Sequence, residues 1–300
     1  MPFDTEQINP APGYWPIHKV TPGVQKRYAD KMLGYEDRFD GVARLYGQAA
    51  LAAFRQAHVA VIGVGGVGSW TVEALARSGV GTLTLFDLDD VCVSNTNRQA
   101  HTLSSTLGQF KVDVLADRCR DINPDIVVHA KQCFISADNV ADQGLADMTF
   151  VVDAIDSVRV KVELIQYCRR QRIPFVMTGG AGGQLDPTRI RQADLAKAVQ
   201  DPLAARVRSE LRKRYGYAKG GKSMSVPCVY SDEPLVYPQP DGSVCATKHL
   251  GGGTRMNCAG GFGAAMTVTA TFGMVAASAA LNRIARAAII AGKAGAESTV

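Results

Sequence analysis

The feature that most constrains the fold is an alternation of short apolar runs with amphipathic helical patterns between residues 58 and 180. Apolar runs of this length, bounded by turn residues, predict buried strands. Strands that alternate with helices form right-handed crossovers. The sequence therefore predicts an α/β fold: a doubly wound, mostly parallel, Rossmann-like sheet with helices on both faces. The predicted strands are HVAVIG at 58–63, TLTLFD at 82–87, IVVHA at 126–130, MTFVVDA at 148–154 and IPFVMTGG at 173–180.

Composition sets the class of protein. Charged residues make up 20% of the chain and hydrophobic residues 46%, which is ordinary for a soluble protein. The net charge of +5 permits an acidic partner without proving one. The seven cysteines form no Cys-x-x-Cys pair, and the N-terminus shows no signal-peptide pattern. We therefore expect a reducing, cytoplasmic location rather than a disulfide framework.

One segment, at 258–281, carries no formal charge and is long enough to span a bilayer. It is rich in glycine, alanine and threonine, which favour close packing against a neighbouring helix over membrane insertion. A buried helix is the favoured interpretation. A membrane span or contact, flanked by Arg283, Arg286 and Lys293, is the alternative.

A glycine-rich turn, GVGGVGS at 63–69, separates a predicted strand from a predicted helix. Gly63, Gly65 and Gly68 have the spacing of a dinucleotide-binding turn, in which the backbone approaches phosphate at a helix N-terminus. Asp87 ends the second predicted strand, where a carboxylate can bind a ribose. The pattern predicts a nucleotide site without specifying the nucleotide. A tight turn without a ligand is the alternative.

The stretch FDLDDVCVSNTNRQ at 86–99 narrows the chemistry. A dehydrogenase needs no charge beyond the ribose acid, whereas an enzyme in which a carboxylate attacks ATP must hold a triphosphate, stabilise its charge and bind magnesium. The candidate catalytic residues are Arg98, Lys111 and Asp156, with Asp156 as the metal ligand. The candidate nucleotide-binding residues are Gly63, Gly65, Gly66, Gly68, Asp87, Asp89, Asn95, Arg98, Gln99, Lys111 and Asp153.

Each of these polar residues also has a structural alternative. Asn95 could be a turn residue, Arg98 and Lys111 could be solvated, and Asp156 could be a helix N-cap. In a doubly wound sheet, however, all of them fall at the carboxyl edge, where ligands bind. Their grouping favours an ATP site.

The motifs resemble those of the ubiquitin-activating-enzyme superfamily of adenylating enzymes, which includes the sulfur-carrier adenylyltransferases. GVGGVGS, DLDDVCVSNTNRQ, GQFK and VVDAIDS carry this resemblance. Within the superfamily, RLYG, GGVGSW, VPCVYSDE and GFGAAMTVTATFGMVAA are similar to the tRNA threonylcarbamoyladenosine dehydratase family. The similarity runs from Arg38 to Ala285.

This resemblance implies ATP-dependent closure of threonylcarbamoyladenosine in tRNA to a cyclic hydantoin. It also implies a homodimer in which an N-terminal arginine, Arg38 or Arg44, reaches the ATP of the partner. Zinc is not expected, because the Cys-x-x-Cys pairs of the sulfur-carrier enzymes are absent from the sequence. Cys228 and Cys245 are expected to be structural, with a catalytic role left open, and a sulfur-transfer protein is a possible partner.

A basic block, RVRSELRKRYGYAKGGK at 206–222, predicts a helix and loop that contact tRNA phosphates. Glu210 is expected to pair with Arg214 along the helix. A solvated helix face is the alternative. The candidate contacts are Arg206, Arg208, Arg212, Lys213, Arg214, Lys219 and Lys222.

The combined prediction is an ATP-dependent tRNA dehydratase that adenylates a carboxylate. Adenylation of a sulfur-carrier protein, a dinucleotide-dependent oxidoreductase and a non-catalytic scaffold are the alternatives. The chain is divided into an N-terminal extension at 1–35, an ATP-binding half at 36–183, a second half at 184–290 with the basic block and apolar helix, and a tail at 291–300.

Overall fold

The computed structural model describes residues 34–239, 241–246 and 262–297. The chain divides into two compact units, 1–38 and 39–300, and only residues 34–38 of the first unit are described. The predicted N-terminal extension therefore lies almost wholly outside the described residues. The predicted boundary between residues 183 and 184 falls inside the second unit.

A single seven-stranded sheet forms the centre of the second unit, in the order β3-β2-β1-β4-β5-β7-β6. All neighbouring strands are parallel except β6, which runs antiparallel to β7 at one edge. The strands are β1 His58–Ile62, β2 Thr82–Phe86, β3 Val127–Lys131, β4 Phe150–Asp153, β5 Phe175–Thr178, β6 Ile190–Asp194 and β7 Pro227–Ser231, and a separate hairpin pairs β8 Tyr237–Pro238 with β9 Val244–Cys245.

Helices cover both faces of the sheet, which confirms the predicted fold class. On one side, α3 packs against α4 and α7, and on the other, α5 packs against α6. The helices are α1 Tyr35–Tyr46, α2 Gln48–Gln56, α3 Gly68–Arg77, α4 Lys111–Ile122, α5 Val158–Arg170, α6 Pro202–Tyr215 and α7 Met266–Glu297.

The helical segment before β1 is interrupted at one residue. Gly47 has a φ of 91°, in the left-handed region that favours glycine, and it separates α1 from α2. Leu45 is 78% exposed, whereas Leu51 and Phe54 of α2 are buried. After the interruption, α2 packs against α7.

The apolar helix α7 packs across the sheet and against α2 and α3. Val268, Phe272, Ala276 and Ala280, spaced four residues apart, are fully buried along one face. A Cβ on Gly273 would lie 2.6 Å from the carbonyl oxygen of Val67, so only glycine permits this approach.

By length and composition, Met266–Gly292 of α7 is the stretch of the described residues that could cross a membrane. Its buried face agrees with the predicted buried helix, and the helix begins at Met266. Residues 258–261 of the predicted segment lie outside the described residues. The helix also continues to Glu297, through most of the predicted tail.

Candidate active site

A cavity of about 650 Å³ opens at the carboxyl ends of β1, β2, β4 and β5. This volume lies in the range typical of small-molecule sites, and the position is where doubly wound sheets bind ligands. The structure brings together at its wall most of the residues predicted from the sequence. They are Gly63, Gly65, Gly66, Asp87, Asp89, Asn95, Arg98, Gln99, Lys111 and Asp156.

The glycine turn is shaped by two close approaches. Gly63 has a φ of 80°, and a Cβ there would lie 3.0 Å from the carbonyl oxygen of Ala154. A Cβ on Gly68 would lie 1.9 Å from the carbonyl oxygen of Gly63, so no side chain fits at that position. Gly68 does not line the cavity. Its role is to let α3 begin directly against the turn.

Asp87 fixes the turn to the loop after β2. Its Oδ2 accepts a hydrogen bond from the backbone N–H of Val64 at 2.8 Å, and its Oδ1 accepts one from the N–H of Asp89 at 3.0 Å. The side chain is buried but lines the cavity. Each carboxylate oxygen retains a lone pair that can accept a ribose hydroxyl.

A lysine and an aspartate form an ion pair at the cavity wall. Lys111, the first residue of α4, places Nζ 2.7 Å from Oδ2 of Asp89. The lysine side chain is 6% exposed and the aspartate side chain 54% exposed. A buried ammonium requires an anionic partner, and Asp89 provides one to Lys111 at the edge of the cavity.

Arg98 is oriented by its own loop and by two helices. Its Nη1 donates to the carbonyl oxygen of Ser94 and to Oδ1 of Asn97, both at 2.9 Å. Its own carbonyl oxygen accepts from Nε1 of Trp70 on α3 at 2.9 Å and from Oγ1 of Thr269 on α7 at 3.3 Å. These bonds use one guanidinium nitrogen and leave others for an anionic ligand.

Two amide side chains flank this arginine. Asn95 Oδ1 accepts from the backbone N–H of Cys92 at 3.4 Å, which closes the loop. Gln99 is 7% exposed, and its Oε1 has no hydrogen-bond partner among the described residues. A buried acceptor without a partner is costly, so this oxygen is suited to a hydroxyl or amine of a ligand.

The two aspartates after β4 have different environments. Asp156 is exposed at the cavity and has no hydrogen-bond or ion-pair partner among the described residues, and the N-cap of α5 is Ser157. Asp153 is fully buried and pairs with Lys161, whose Nζ lies 2.9 Å from Oδ1. Burial raises the pKa of the Asp153 carboxyl, and the Lys161 ammonium opposes this shift.

The expectation that Asp153 contacts the nucleotide is therefore corrected. Its side chain does not reach the cavity. Oδ1 instead accepts from the N–H of Ile155 at 3.1 Å, and Thr178 donates to its carbonyl oxygen at 3.3 Å. Asp153 supports the loop that carries Asp156 rather than touching a ligand.

A glycine-rich loop after β5 also lines the cavity, and it was not predicted from the sequence. Gly180 donates its N–H to Oδ2 of Asp201 at 3.0 Å, and a Cβ on Gly179 would lie 1.7 Å from that oxygen. The letters TGGAGG at 178–183, which begin inside the fifth predicted strand and continue past its end, were an available signal. Other lining residues, without a local sequence signal, are Phe134, Ile135, Leu203, Ala264 and Thr269.

The basic block is less available than predicted. Arg208 donates to the carbonyl oxygens of Leu195 and Ala198, and Arg212 donates to that of Ala218. The predicted pairing of Arg214 with Glu210 along α6 is replaced by an ion pair with Glu163 of α5, because the two helices pack side by side. The exposed block residues whose side chains make no hydrogen bond or ion pair with described residues are Arg206, Lys213, Lys219 and Lys222.

Neither cysteine considered for catalysis lies at the cavity. Cys228 is fully buried in β7, and burial raises the pKa of its thiol, which suppresses the nucleophilic thiolate. Cys245 is exposed on β9. Among the residues the structure describes, no group of three or more His, Cys, Asp or Glu side chains could hold a metal ion. The absence of zinc remains a prediction.

Comparison with known proteins gives a consistent assignment. The ThiF family model matches residues 40–294 of this chain. The tRNA threonylcarbamoyladenosine dehydratase of Escherichia coli is 55% identical over 252 residues, which are 83% of this chain and 94% of that protein. The enzyme of the same name from Haemophilus influenzae is 49% identical over 251 residues, again 83% of this chain and 94% of that protein.

The fold agrees with this assignment. A crystal structure of the E. coli tRNA N6-threonylcarbamoyladenosine dehydratase in complex with ATP superposes with a TM-score of 0.75 at 49% identity, and it covers 85% of this chain and 96% of that chain. On the family match, the identities and the shared fold, this chain belongs to the ThiF family and, within it, groups with the tRNA threonylcarbamoyladenosine dehydratases.

Proposed function

We propose that this protein catalyses the ATP-dependent dehydration of N6-threonylcarbamoyladenosine in tRNA to its cyclic hydantoin form. The observation that carries the proposal is the convergence of Asp87, Arg98, Gln99, Lys111 and Asp156 on one cavity beside a glycine turn. Oriented cations at a nucleotide turn suit a reaction that develops charge on phosphate. The relatives, one of them crystallised with ATP, support the same reaction.

The first chemical step is attack of the substrate carboxylate on the α-phosphoryl group of ATP, which expels pyrophosphate and leaves an acyl-adenylate. Arg98 and Lys111 supply positive charge to the phosphoryl oxygens during this step. Asp87 and Gln99 are placed to accept hydrogen bonds from the nucleoside. Asp89 forms an ion pair with Lys111, so a bound triphosphate would compete for the same ammonium.

In the second step a nitrogen of the same modification attacks the activated carbonyl carbon, loses its proton and expels AMP. The two steps together remove one water from the substrate and convert ATP to AMP and pyrophosphate. Both reacting groups belong to one nucleoside, so positioning can supply roughly 7–11 kcal/mol of the barrier at best.

Magnesium fits the donor set on one side of the cavity. The exposed carboxylate of Asp156 is a hard oxygen ligand, and Mg²⁺ commonly binds one or two carboxylates together with substrate phosphates. When bound, the ion neutralises phosphate charge. Asp153 pairs with Lys161 and accepts a hydrogen bond from the backbone N–H of Ile155. This buried pair therefore supports the backbone next to Asp156, the residue that would bind the metal ion.

The resemblance to the family supports a proposal for the partners and the location. We expect a homodimer in the cytoplasm, with Arg38 or Arg44 reaching the ATP of the second subunit. Exposed apolar side chains of α7, at Met274, Ile289 and Ile290, provide a surface for the second copy. Two other partners are less favoured. One is a membrane that contacts this surface, and the other is a sulfur-transfer protein.

The test is a reaction of the purified chain with ATP, magnesium and tRNA that carries threonylcarbamoyladenosine. We expect AMP and pyrophosphate in equal amounts and a product nucleoside lighter by one water. Protection of the fold against heat should come from ATP and not from NAD, because a ligand of the native state raises apparent stability. Pyrophosphate release with a sulfur-carrier protein but not with tRNA would refute the proposal in favour of carrier adenylation.

A further inference from the structure

A groove between α5 and α6 opens next to the cavity. Its volume is about 650 Å³, and Val158, Arg159, Val162, Arg206 and Ser209 form part of its wall. Glu210 and Arg214 complete the lining. The groove thus combines an apolar floor from two valines with three arginines and one acid.

The groove continues the wall of the cavity. Asp156 lines the cavity, and Arg159 follows three residues later in the first turn of α5. Leu203 lines the cavity on the other helix, and Arg206 again follows three residues later on α6. Three residues of an α-helix span about one turn, so Arg206 stands roughly 5 Å along α6 from Leu203. Arg159 is the second residue of α5, directly after the loop that carries Asp156.

The positive charge of the groove is concentrated at this end. Arg159 and Arg206 are exposed, and their side chains make no hydrogen bond or ion pair with the described residues, although Arg159 interacts electrostatically with Glu163. Arg214 lies farther along α6 and is neutralised by Glu163. Glu210, one turn beyond Arg206, also acts on Arg214. The two arginines whose side chains form no hydrogen bond or ion pair are therefore the pair nearest the cavity.

We infer that this groove holds the single-stranded RNA that flanks the reacting nucleoside, with Arg159 and Arg206 bound to its phosphates. The inference rests on the proposed function, because it takes tRNA as the substrate. Arginine suits phosphate through its planar set of donors, and the valine floor suits ribose and base faces. An RNA chain entering the cavity must continue over a neighbouring surface, and this groove supplies the cations there.

The groove fits RNA better than the tail of a carrier protein. A tail that ends in a carboxylate has one negative charge, which the cavity itself receives. Two further unpaired arginines outside the cavity match a polymer with one phosphate per nucleotide. The inference also moves the expected tRNA contacts away from Arg208, Arg212 and Arg214, which bind other parts of the protein.

The test is tRNA affinity across a salt series for the full chain and the double variant Arg159→Ala/Arg206→Ala. Each phosphate contact contributes about 0.7–0.9 to the log–log slope, so losing two should flatten it by about 1.4–1.8. If the electrostatic contribution vanishes near 1 M salt, the same loss weakens binding about 25- to 60-fold at 0.1 M. Arg159→Lys/Arg206→Lys keeps both charges and should retain the native slope.

The matched control is Arg170→Ala/Lys197→Ala, which removes the same charge from exposed positions outside the groove. It should leave affinity and slope near the native values. Protection by ATP against heat should be equal in all four proteins and shows that each is folded. A double alanine variant with native affinity and slope would overturn the inference while the native chain still forms the cyclic product.

Failure of the proposed function gives a different result. The native chain would then release no pyrophosphate with modified tRNA, and the inference would fall with it. A loss of affinity in the control as large as that in the groove variant would also overturn the inference, because it would mean that only overall charge matters.

Discussion

Replacing Lys161 by methionine is expected to destabilise the protein strongly and in a pH-dependent way. The side chains of Lys161 and Asp153 are both 0% exposed, and Nζ lies 2.9 Å from Oδ1. Methionine fills a similar volume but leaves the carboxylate without its cation. Removing one member of a buried ion pair typically costs about 3–5 kcal/mol.

The expected cost depends on pH because the carboxyl can take up a proton. Burial already raises the pKa of Asp153, and Lys161 opposes the shift. Without the lysine the folded-state pKa rises further above its unfolded value near 4. When the pKa of a carboxyl is higher in the folded state, the free energy of unfolding decreases as the pH rises from the unfolded-state pKa to the folded-state pKa. The deficit of Lys161→Met should therefore grow by up to about 1.4 kcal/mol per pH unit in that window.

The assay is urea unfolding of four proteins at several pH values: native, Lys161→Met, Asp153→Asn and the double variant. The double variant carries no buried charge at this position, so it should be more stable than Lys161→Met alone. At neutral pH the melting temperature of Lys161→Met should fall by roughly 6–20 °C, from about 2–4 °C per kcal/mol for a unit of this size.

Two results would refute the reasoning. One is a cost below about 1 kcal/mol for Lys161→Met at neutral pH, which would be typical of an exposed pair. The other is a double variant whose loss equals the sum of the two single losses, since contacting charges should not be additive. Either result would mean that this pair does not hold the loop before Asp156.

Three further predictions concern the site and its surroundings. Arg98→Ala should lower kcat by about 10²–10³ while heat protection by ATP persists, and unchanged turnover would remove Arg98 from the chemistry. Burial, with a smaller effect of Lys111, lowers the pKa of His101 to about 4. A depressed histidine pKa costs stability as pH falls from 6.5 toward 4, so the native protein should lose about 2 kcal/mol more than His101→Gln between pH 8 and pH 5, measured by urea unfolding. Gly273→Ala should cost about 1–3 kcal/mol because its Cβ would meet the carbonyl oxygen of Val67, whereas Gly292→Ala, with open space around it on the same helix, should cause no loss in thermal unfolding.

The sequence predicted the parts of the fold whose signals are local. The parallel strands β1, β2, β4 and β5 appeared as apolar runs because both of their faces are buried. The glycine turn appeared because its backbone excludes side chains. The edge strand β6 and its neighbour β7 were not predicted. The exposure pattern of β6 is mixed, and no glycine-bounded apolar run marks its position.

The predicted site residues met at one cavity because a parallel sheet gathers its carboxyl ends, which is a property of the topology alone. Residue type could not separate Asp153 from Asp156, since the difference comes from Lys161 one turn into the next helix. The same limit applies to the basic block. Arg208 and Arg212 look solvated in the sequence, but their backbone acceptors come from loops folded against α6.

The packing of α7 has a consequence for how this protein is made. Thr71 Oγ1 donates to the carbonyl oxygen of Gly273 across 202 positions of the chain, and Thr269 bonds the carbonyl of Arg98 across 171. During translation every strand of the sheet leaves the ribosome before the helix that completes the nucleotide wall. The apolar surface that α7 covers therefore stays exposed in the nascent chain until α7 emerges. Exposed apolar surface of this kind promotes aggregation and binding by chaperones. Contacts between residues so far apart in the chain are associated with slow folding. Because α7 is needed to complete the wall, the nucleotide site forms only at the end of synthesis.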